Sequence, residues 1–317
     1  AGASVAIGTG ADAVSPATLR RLRFGGRSGI TIAPGAEAWS DAASIAVVSG
    51  QAIAVSFRLE GPAPVATVHR LPENATRMLQ GNAVMRPVWR DAVALQWNHV
   101  VTGLDVHGPE ARRVVVAFGD SITEGAGADE RQGASARYPD RLAQRLRGMP
   151  GSAGAFGVIN AGISGNRLLA SPAGPPGIER FAHDVLTQSG VTHAVILLGI
   201  NDIGLGESLG SGQITAGLQR LVAQAHARGV KVMLGTLPPF KGAPYWSEAK
   251  EQQRQAVNRW IRGRQDIDAV VDFDAVLRNP ADPLVLNPLY DSGDRLHPGN
   301  AGYAAMADAI DLRELRE

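Results

Sequence analysis

Apolar positions at the start of the chain come in short runs. Ser4 to Ile7, Leu19 to Phe24, Gly29 to Ile32, Ala52 to Leu59 and Ala66 to Leu71 are rich in Val, Ile, Leu, Phe and Thr. Turn signals such as Gly25-Gly26, Ala33-Pro34-Gly35 and Gly61-Pro62 separate them, as they separate short β-strands. Within Ala52 to Leu59 the residues Ile53, Val55, Phe57 and Leu59 share one face, while Ser56 and Arg58 lie on the other. That is the period of an antiparallel strand with one buried face. Several such strands at short spacing predict an all-β sandwich, jelly-roll-like, over residues 1–108. Leu104 to His107 is expected to close it, with Gly108-Pro109-Glu110 as the linker.

The pattern changes at Arg113, where strands begin to alternate with helices. Val114 to Phe118, Gly157 to Asn160, Ala194 to Leu198, Val230 to Gly235 and Ala269 to Phe273 read as buried strands. Tyr138 to Arg147, Ile214 to Arg228, Glu248 to Arg264 and Ala301 to Ile310 read as helices. Leu142 and Leu146 share one face of the first, and Gly229 stops the second. Strands alternating with helices predict a doubly covered parallel sheet with right-handed crossovers, an α/β domain over residues 109–317.

Composition narrows the function classes. The chain has 317 residues, enough for two cores, and its 31 Lys and Arg against 30 Asp and Glu leave no charge-based case for nucleic acid. The absence of cysteine removes disulfides, thiol catalysis and thiolate metal sites. No window is long and apolar enough to span a membrane. High glycine and proline content, 38 and 19 residues, with low aromatic content points to many turns, and 44% hydrophobic residues to a folded chain. The opening Ala1-Gly2-Ala3-Ser4 has no methionine. It fits a mature chain after signal removal, with a secreted or periplasmic location favoured over a cytoplasmic one, or a chain trimmed at its start.

The candidate chemistry sits in loops after the strands. Val114 to Phe118 stops at Gly119, and Asp120-Ser121 follow where the backbone must turn. A serine at the carboxyl end of a parallel strand lies where open α/β sheets bind ligands. Asp294-Arg295-Leu296-His297 offers a base and an orienting carboxylate three residues apart, a set suited to nucleophilic acyl transfer. Asn160-Ala161-Gly162-Ile163-Ser164-Gly165-Asn166 follows the second strand and Gly199-Ile200-Asn201-Asp202 the third. All four loops belong to one edge of the sheet.

Gly119-Asp120-Ser121-Ile122, the Gly162 loop, Gly199-Ile200-Asn201-Asp202 and Asp294-x-x-His297 resemble, in order, the four blocks of the SGNH hydrolases, also called GDSL esterases and lipases. The resemblance covers residues 113–310, with isoleucine where the name-giving motif has leucine, and the β-rich first half resembles the N-terminal sandwich of some bacterial members. It implies a flavodoxin-like three-layer α/β/α domain that hydrolyses carboxylic esters. In that reading Ser121 is the nucleophile, His297 the base and Asp294 its orienting group. The oxyanion hole comes from Ser121 N–H, Gly162 N–H and the Asn201 side chain. No metal or organic cofactor is implied. The expected partner is a small-molecule or carbohydrate ester, with short acyl or acetyl groups favoured because no segment reads as a large apolar lid. An acyltransferase using the same serine and a silent carbohydrate-binding protein are the rival readings; no pattern indicates an oligomer.

Several residues admit two roles. Asn166 and Arg167 either touch substrate or brace the Gly162 loop, and Tyr245 and Trp246 either line the pocket or pack on the surface. Asp120 is expected to hold the turn and Asp202 to brace its own loop. Asp291, Asp294 and His297 lack the further ligands and spacing of a metal site. His69, His99, His107, His183, His193 and His226 read as surface or satisfied core residues. Gly125-Ala126-Gly127 hints at a dinucleotide fingerprint, but Glu130 stands where the third glycine is needed. Asn74-Ala75-Thr76 is a glycosylation sequon that matters only in a eukaryotic secretory route.

Overall fold

Small and β-branched residues fill both faces of the first strand, β1 (Gly2–Gly10), so that Ala3, Val5, Ala6 and Ile7 are all buried. The structure, a computed structural model, describes residues 2–61, 68–70, 76–95, 97–108, 113–129, 136–150, 155–206 and 210–316. Most of the expected strand Ala66 to Leu71 lies outside these residues, as do Pro109 and Glu110 of the expected linker, Asn74 and Ala75 of the sequon, and Glu130. The chain divides into two compact units, Ala1–His107 and Gly108–Glu317.

The first unit is all-β and antiparallel. β1 pairs with β2 (Ala13–Val14), β3 (Arg20–Leu22) and β4 (Ile53–Arg58). Two further ladders join β5 (His69–Arg70) to β8 (Trp97–Asn98) and β6 (Thr76–Met78) to β7 (Val93–Leu95). Val5 stands opposite Val55 and Ile7 opposite Ile53, so the predicted apolar face of β4 does meet that of β1. The burial fades along it: Phe57 and Leu59 are exposed, because β4 is an edge strand and Leu59 lies past its last partner, Gly2. Gly29 to Ile32 and Leu104 to His107 form no ladder among the described residues, contrary to the pattern. Strand formation needs a partner edge for the backbone groups, which an apolar run does not supply by itself.

The second unit is built from β9 (Arg113–Gly119), α1 (Ser121–Glu124), α2 (Tyr138–Gly148), β10 (Phe156–Gly162), α3 (Gly177–Phe181), β11 (Val191–Leu197), α4 (Ile200–Leu205), α5 (Ser211–His226), β12 (Lys231–Gly235), α6 (Glu248–Arg262), β13 (Ala269–Val271), α7 (Phe273–Leu277) and α8 (Asn300–Asp308). A π-helical turn, Ala182–Leu186, continues α3. All five strands are parallel, in the order β10-β9-β11-β12-β13. This is the flavodoxin-like order, whose ligand crevice opens at the carboxyl ends of the first and third strands, here β9 and β11. Helices form two layers: α2 packs on α8 and α8 on α7, while α5 packs on α6 and α3.

The core explains the continuous apolar runs. Val115, Val116, Ala117 and Phe118 of β9 are fully buried in one core that also holds Leu142 and Leu146 of α2 and Leu218 and Leu221 of α5. Gly229 ends α5 as predicted: it takes φ +69° and lets Val230 N–H reach back to Ala225 O at 3.0 Å. Phe273 begins α7 instead of ending β13, because the Asp272 carboxylate caps the helix through Ala275 N–H at 3.1 Å. Gly162 of β10 and Leu197 of β11 both stand opposite Gly119 of β9. Three loops therefore leave the sheet side by side at one level.

Candidate active site

Ser121 owes its position to its neighbours. Gly119 has no room for a Cβ, which would meet Thr123 and the carbonyl of Leu197, so β9 approaches both α1 and β11 closely. Asp120 then caps α1, its Oδ1 accepting Ile122 N–H at 3.0 Å. Ser121 becomes the first residue of the helix, its own N–H left free by position. Its Oγ lies 2.8 Å from His297 Nε2.

The base arrives on a tight loop. Asp291 pairs with Pro298 across a single β-bridge, and Ser292 N–H donates to His297 O at 3.0 Å. Arg295 adopts a left-handed φ of +66° between them, curling the chain so that Asp294 and His297 face each other. His297 Nδ1 is 2.5 Å from Asp294 Oδ2, while Oδ1 accepts the N–H groups of His297 (2.8 Å) and Leu296 (2.9 Å). Partial burial pushes the Asp294 carboxyl up, but hydrogen bonds from the His297 ring and from these two N–H groups outweigh it and hold it below the usual carboxylate range. Asp291 turns away from Asp294, accepting from Gly293 N–H, Arg295 N–H and the Arg295 guanidinium. The result is a line of hydroxyl, imidazole and carboxylate that can move a proton from Ser121 and stabilise the imidazolium that forms.

One expected donor has to be corrected. Gly162 N–H is bonded to Asn160 Oδ1 at 3.0 Å, so it is not free to receive a developing oxyanion. A Cβ on Gly162 would strike the backbone of Thr123 and Glu124; the glycine is there so that β10 can pack against α1. Three residues on, Gly165 has the required freedom. It occupies the third position of a turn closed by Asn166 N–H to Ile163 O at 3.0 Å, with φ +75°, and its N–H has no partner among the described residues. Asn201 Nδ2 donates to Asn166 O at 3.1 Å, which holds that amide beside Gly165 and leaves its second hydrogen available. Ser164 N–H donates to Glu124 Oε2 at 2.8 Å, tying the same turn to the helix that carries Ser121. The missed signal was the second glycine of Gly162-Ile163-Ser164-Gly165, whose place in a turn only the fold reveals.

A family model for the GDSL-like lipase/acylhydrolase family matches residues 117–305. The chain belongs to this family. The match takes in Ser121, Asn201, Asp294 and His297, and it makes the chain a member of a family of hydrolytic enzymes. The GDSL-like chain is similar in fold to a GDSL-like lipase from Bacteroides thetaiotaomicron, at 24% identity over 67% of this chain and 92% of that one, TM-score 0.52. It is also similar to the M. smegmatis aryl esterase, at 22% identity over 65% and 99% of the two chains, TM-score 0.51. A third likeness is to a carbohydrate acetylesterase family member from Sinorhizobium meliloti, at 18% identity over 65% and 100%, TM-score 0.50. No individually curated protein matches the chain.

The remaining candidate residues separate into braces and aromatics packed on the core. Asn166, expected as one possible substrate contact, is fully buried. Its Nδ2 donates to Ala173 O at 2.8 Å and Pro175 O at 2.9 Å, and its Oδ1 accepts from Arg180 Nε at 3.0 Å. It is a brace, because no hydrogen-bonding edge remains for substrate. Asp202 braces as well, though across loops: its oxygens accept Leu168 N–H at 2.7 Å and Leu169 N–H at 3.0 Å. The Tyr245 ring packs against Gly204 and lies 5.9 Å from the Phe240 ring. Its buried hydroxyl has no partner among the described residues. Burial first, and then the charges of Asp120 and Asp294, push that phenol above its ordinary value. Trp246 packs partly buried on the core and makes no hydrogen bond to the relay.

Proposed function

We propose that the protein is a serine esterase that hydrolyses carboxylic esters through an acyl-Ser121 intermediate, with short acyl or acetyl esters as its substrates. The reading rests on one observation above all: the unbroken line from Ser121 Oγ to His297 Nε2 at 2.8 Å and from His297 Nδ1 to Asp294 at 2.5 Å. Ser121 Oγ attacks the ester carbonyl as His297 takes its proton, and Asp294 keeps the imidazole in the tautomer with Nε2 free. The negative oxygen of the tetrahedral intermediate is received by the N–H groups of Ser121 and Gly165 and by Asn201 Nδ2. His297 returns the proton to the departing alkoxide. Water, activated by the same imidazole, then releases the acid and restores the hydroxyl.

The preference for short chains is supported by the surface of the second unit. Among its described residues only Leu205 and Leu289 are large, apolar and exposed, far less than a lipid-binding face presents. A fluorophosphonate should label Ser121, and a panel of p-nitrophenyl esters from acetyl to long acyl should show turnover falling with chain length. Full labelling of Ser121→Ala at another residue would remove Ser121 from its role. Rising turnover with chain length would remove the short-acyl preference.

A further inference from the structure

A single buried cation joins two loops of the site directly and reaches the third, which carries Asn201, through Asn166. The Arg180 side chain is 3% exposed. Its Nε donates to Asn166 Oδ1 at 3.0 Å, one terminal nitrogen to Ala161 O at 2.9 Å and to Asp184 Oδ2 at 2.8 Å, and the other to Gly119 O at 2.7 Å. The guanidinium also lies 4.0 Å from the centre of the Phe118 ring. Gly119 is the last residue before the Asp120-Ser121 turn. Ala161 is next to last in β10, before the Ile163–Asn166 turn. Asn166 in turn accepts the Asn201 amide on its backbone oxygen.

We infer that Arg180 is a positioning residue, whose planar fork sets the oxyanion donors of the Gly165 turn and Asn201 relative to Ser121. The inference rests on the ester-hydrolase reading above. Arginine suits the task because its donors have a fixed planar spacing, so four acceptors on three segments are held in one geometry. A lysine has the same charge but one nitrogen, which cannot reach all four. The carbonyls of Gly119 and Ala161 lie at the last rungs of the ladder, where Gly119 O also accepts Ile163 N–H at 3.2 Å, and the turns that carry the donors begin directly beyond them. An ångström of slack there moves the donors away from where the oxyanion forms, a displacement that costs up to about 100-fold in rate.

The test is Arg180→Lys and Arg180→Ala, with kcat and KM on a p-nitrophenyl ester, thermal unfolding and the rate of Ser121 labelling by a fluorophosphonate. In folded Arg180→Lys, kcat and the labelling rate should fall by about 30-fold or more, with KM within about twofold of wild type. Arg180→Ala should fall further and recover severalfold with added guanidinium ion, but not with methylammonium. Folded Arg180→Lys with wild-type kcat, or a loss confined to KM, overturns the inference. If neither variant folds, Asp184→Asn at the half-exposed end of the network decides it. Its kcat should fall by about two- to fivefold at constant KM, and an unchanged kcat overturns the role. Wild type that neither labels at Ser121 nor turns over any ester refutes the ester-hydrolase reading itself. Active wild type beside an equally active Arg180→Lys refutes only the role of Arg180.

Discussion

Replacing Asp120 by Asn keeps the oxygen that caps α1 and removes a charge that the fold isolates. Asp120 Oδ1 accepts Ile122 N–H, while Oδ2 is buried with no hydrogen-bond partner among the described residues. Burial pushes this carboxyl up from 3.8 to about 7. The Ile122 hydrogen bond opposes the rise, the charge of Asp202 adds to it, and Arg180 opposes it. The folded protein therefore holds a proton that the unfolded chain releases near 3.8. The stability tied to Asp120 is complete at pH values below that and is lost as pH rises through about 7. A shift of about three units corresponds to about 4 kcal/mol in total, and about 2 kcal/mol of it falls between about pH 5.5 and about pH 8.5. Asp120→Asn carries no such dependence. Urea unfolding of both proteins, followed by tryptophan fluorescence at these two pH values, should show the advantage of the variant growing by about 2 kcal/mol. For a unit of this size that is roughly 4–8 °C in Tm. A stability difference that stays constant with pH, or a variant less stable than wild type at the higher pH, would refute the buried, unpartnered charge.

Other substitutions test the remaining parts of the site. Asn201→Ala should lower kcat by about 10²–10³, or about 2.7–4 kcal/mol, with KM nearly unchanged and a native circular dichroism spectrum; unchanged kcat in steady-state assays would take Asn201 out of the oxyanion hole. Asp294→Asn keeps the oxygen that accepts Leu296 and His297 N–H but puts an amide against His297 Nδ1. It should lower kcat by about 10⁴ through the wrong tautomer while the protein stays folded. Gly162→Ala drives a Cβ into the backbone of Glu124 and should cost about 1–3 kcal/mol in thermal unfolding. Gly165→Ala has room, with Ala173 at 3.4 Å, but meets a φ of +75° and should cost about 1–2 kcal/mol.

Much of the second unit was legible in the sequence because buried parallel strands are written as continuous apolar runs. Val114 to Phe118 is such a run, and it is fully buried from Val115 to Phe118. Periodicity found the long helices, whose buried faces repeat over several turns, but not the four-residue α1 or the six-residue α4. Those short helices depend on caps and on contacts with neighbouring strands. The first unit was less legible. Ile30 and Ile32 have the residue types of a strand and remain exposed, because nothing local states whether an edge is available to pair with.

By itself the sequence determined the alternation of strands and helices in the second unit and the order of the candidate loops, because buried parallel strands and amphipathic helices leave distinct apolar patterns. A serine follows the first of those strands, an asparagine the third, and an Asp-x-x-His precedes the last helix. Only the tertiary structure decided which groups in those loops are free to act. Asn160 takes the N–H of Gly162, Arg180 takes the amide oxygen of Asn166, and the turn at Gly165 leaves an N–H open. The physical reason is that a backbone donor is available only if no other group has claimed it. Some of those groups, such as Arg180 and Glu124, come from helices well separated in the chain from the loop they brace.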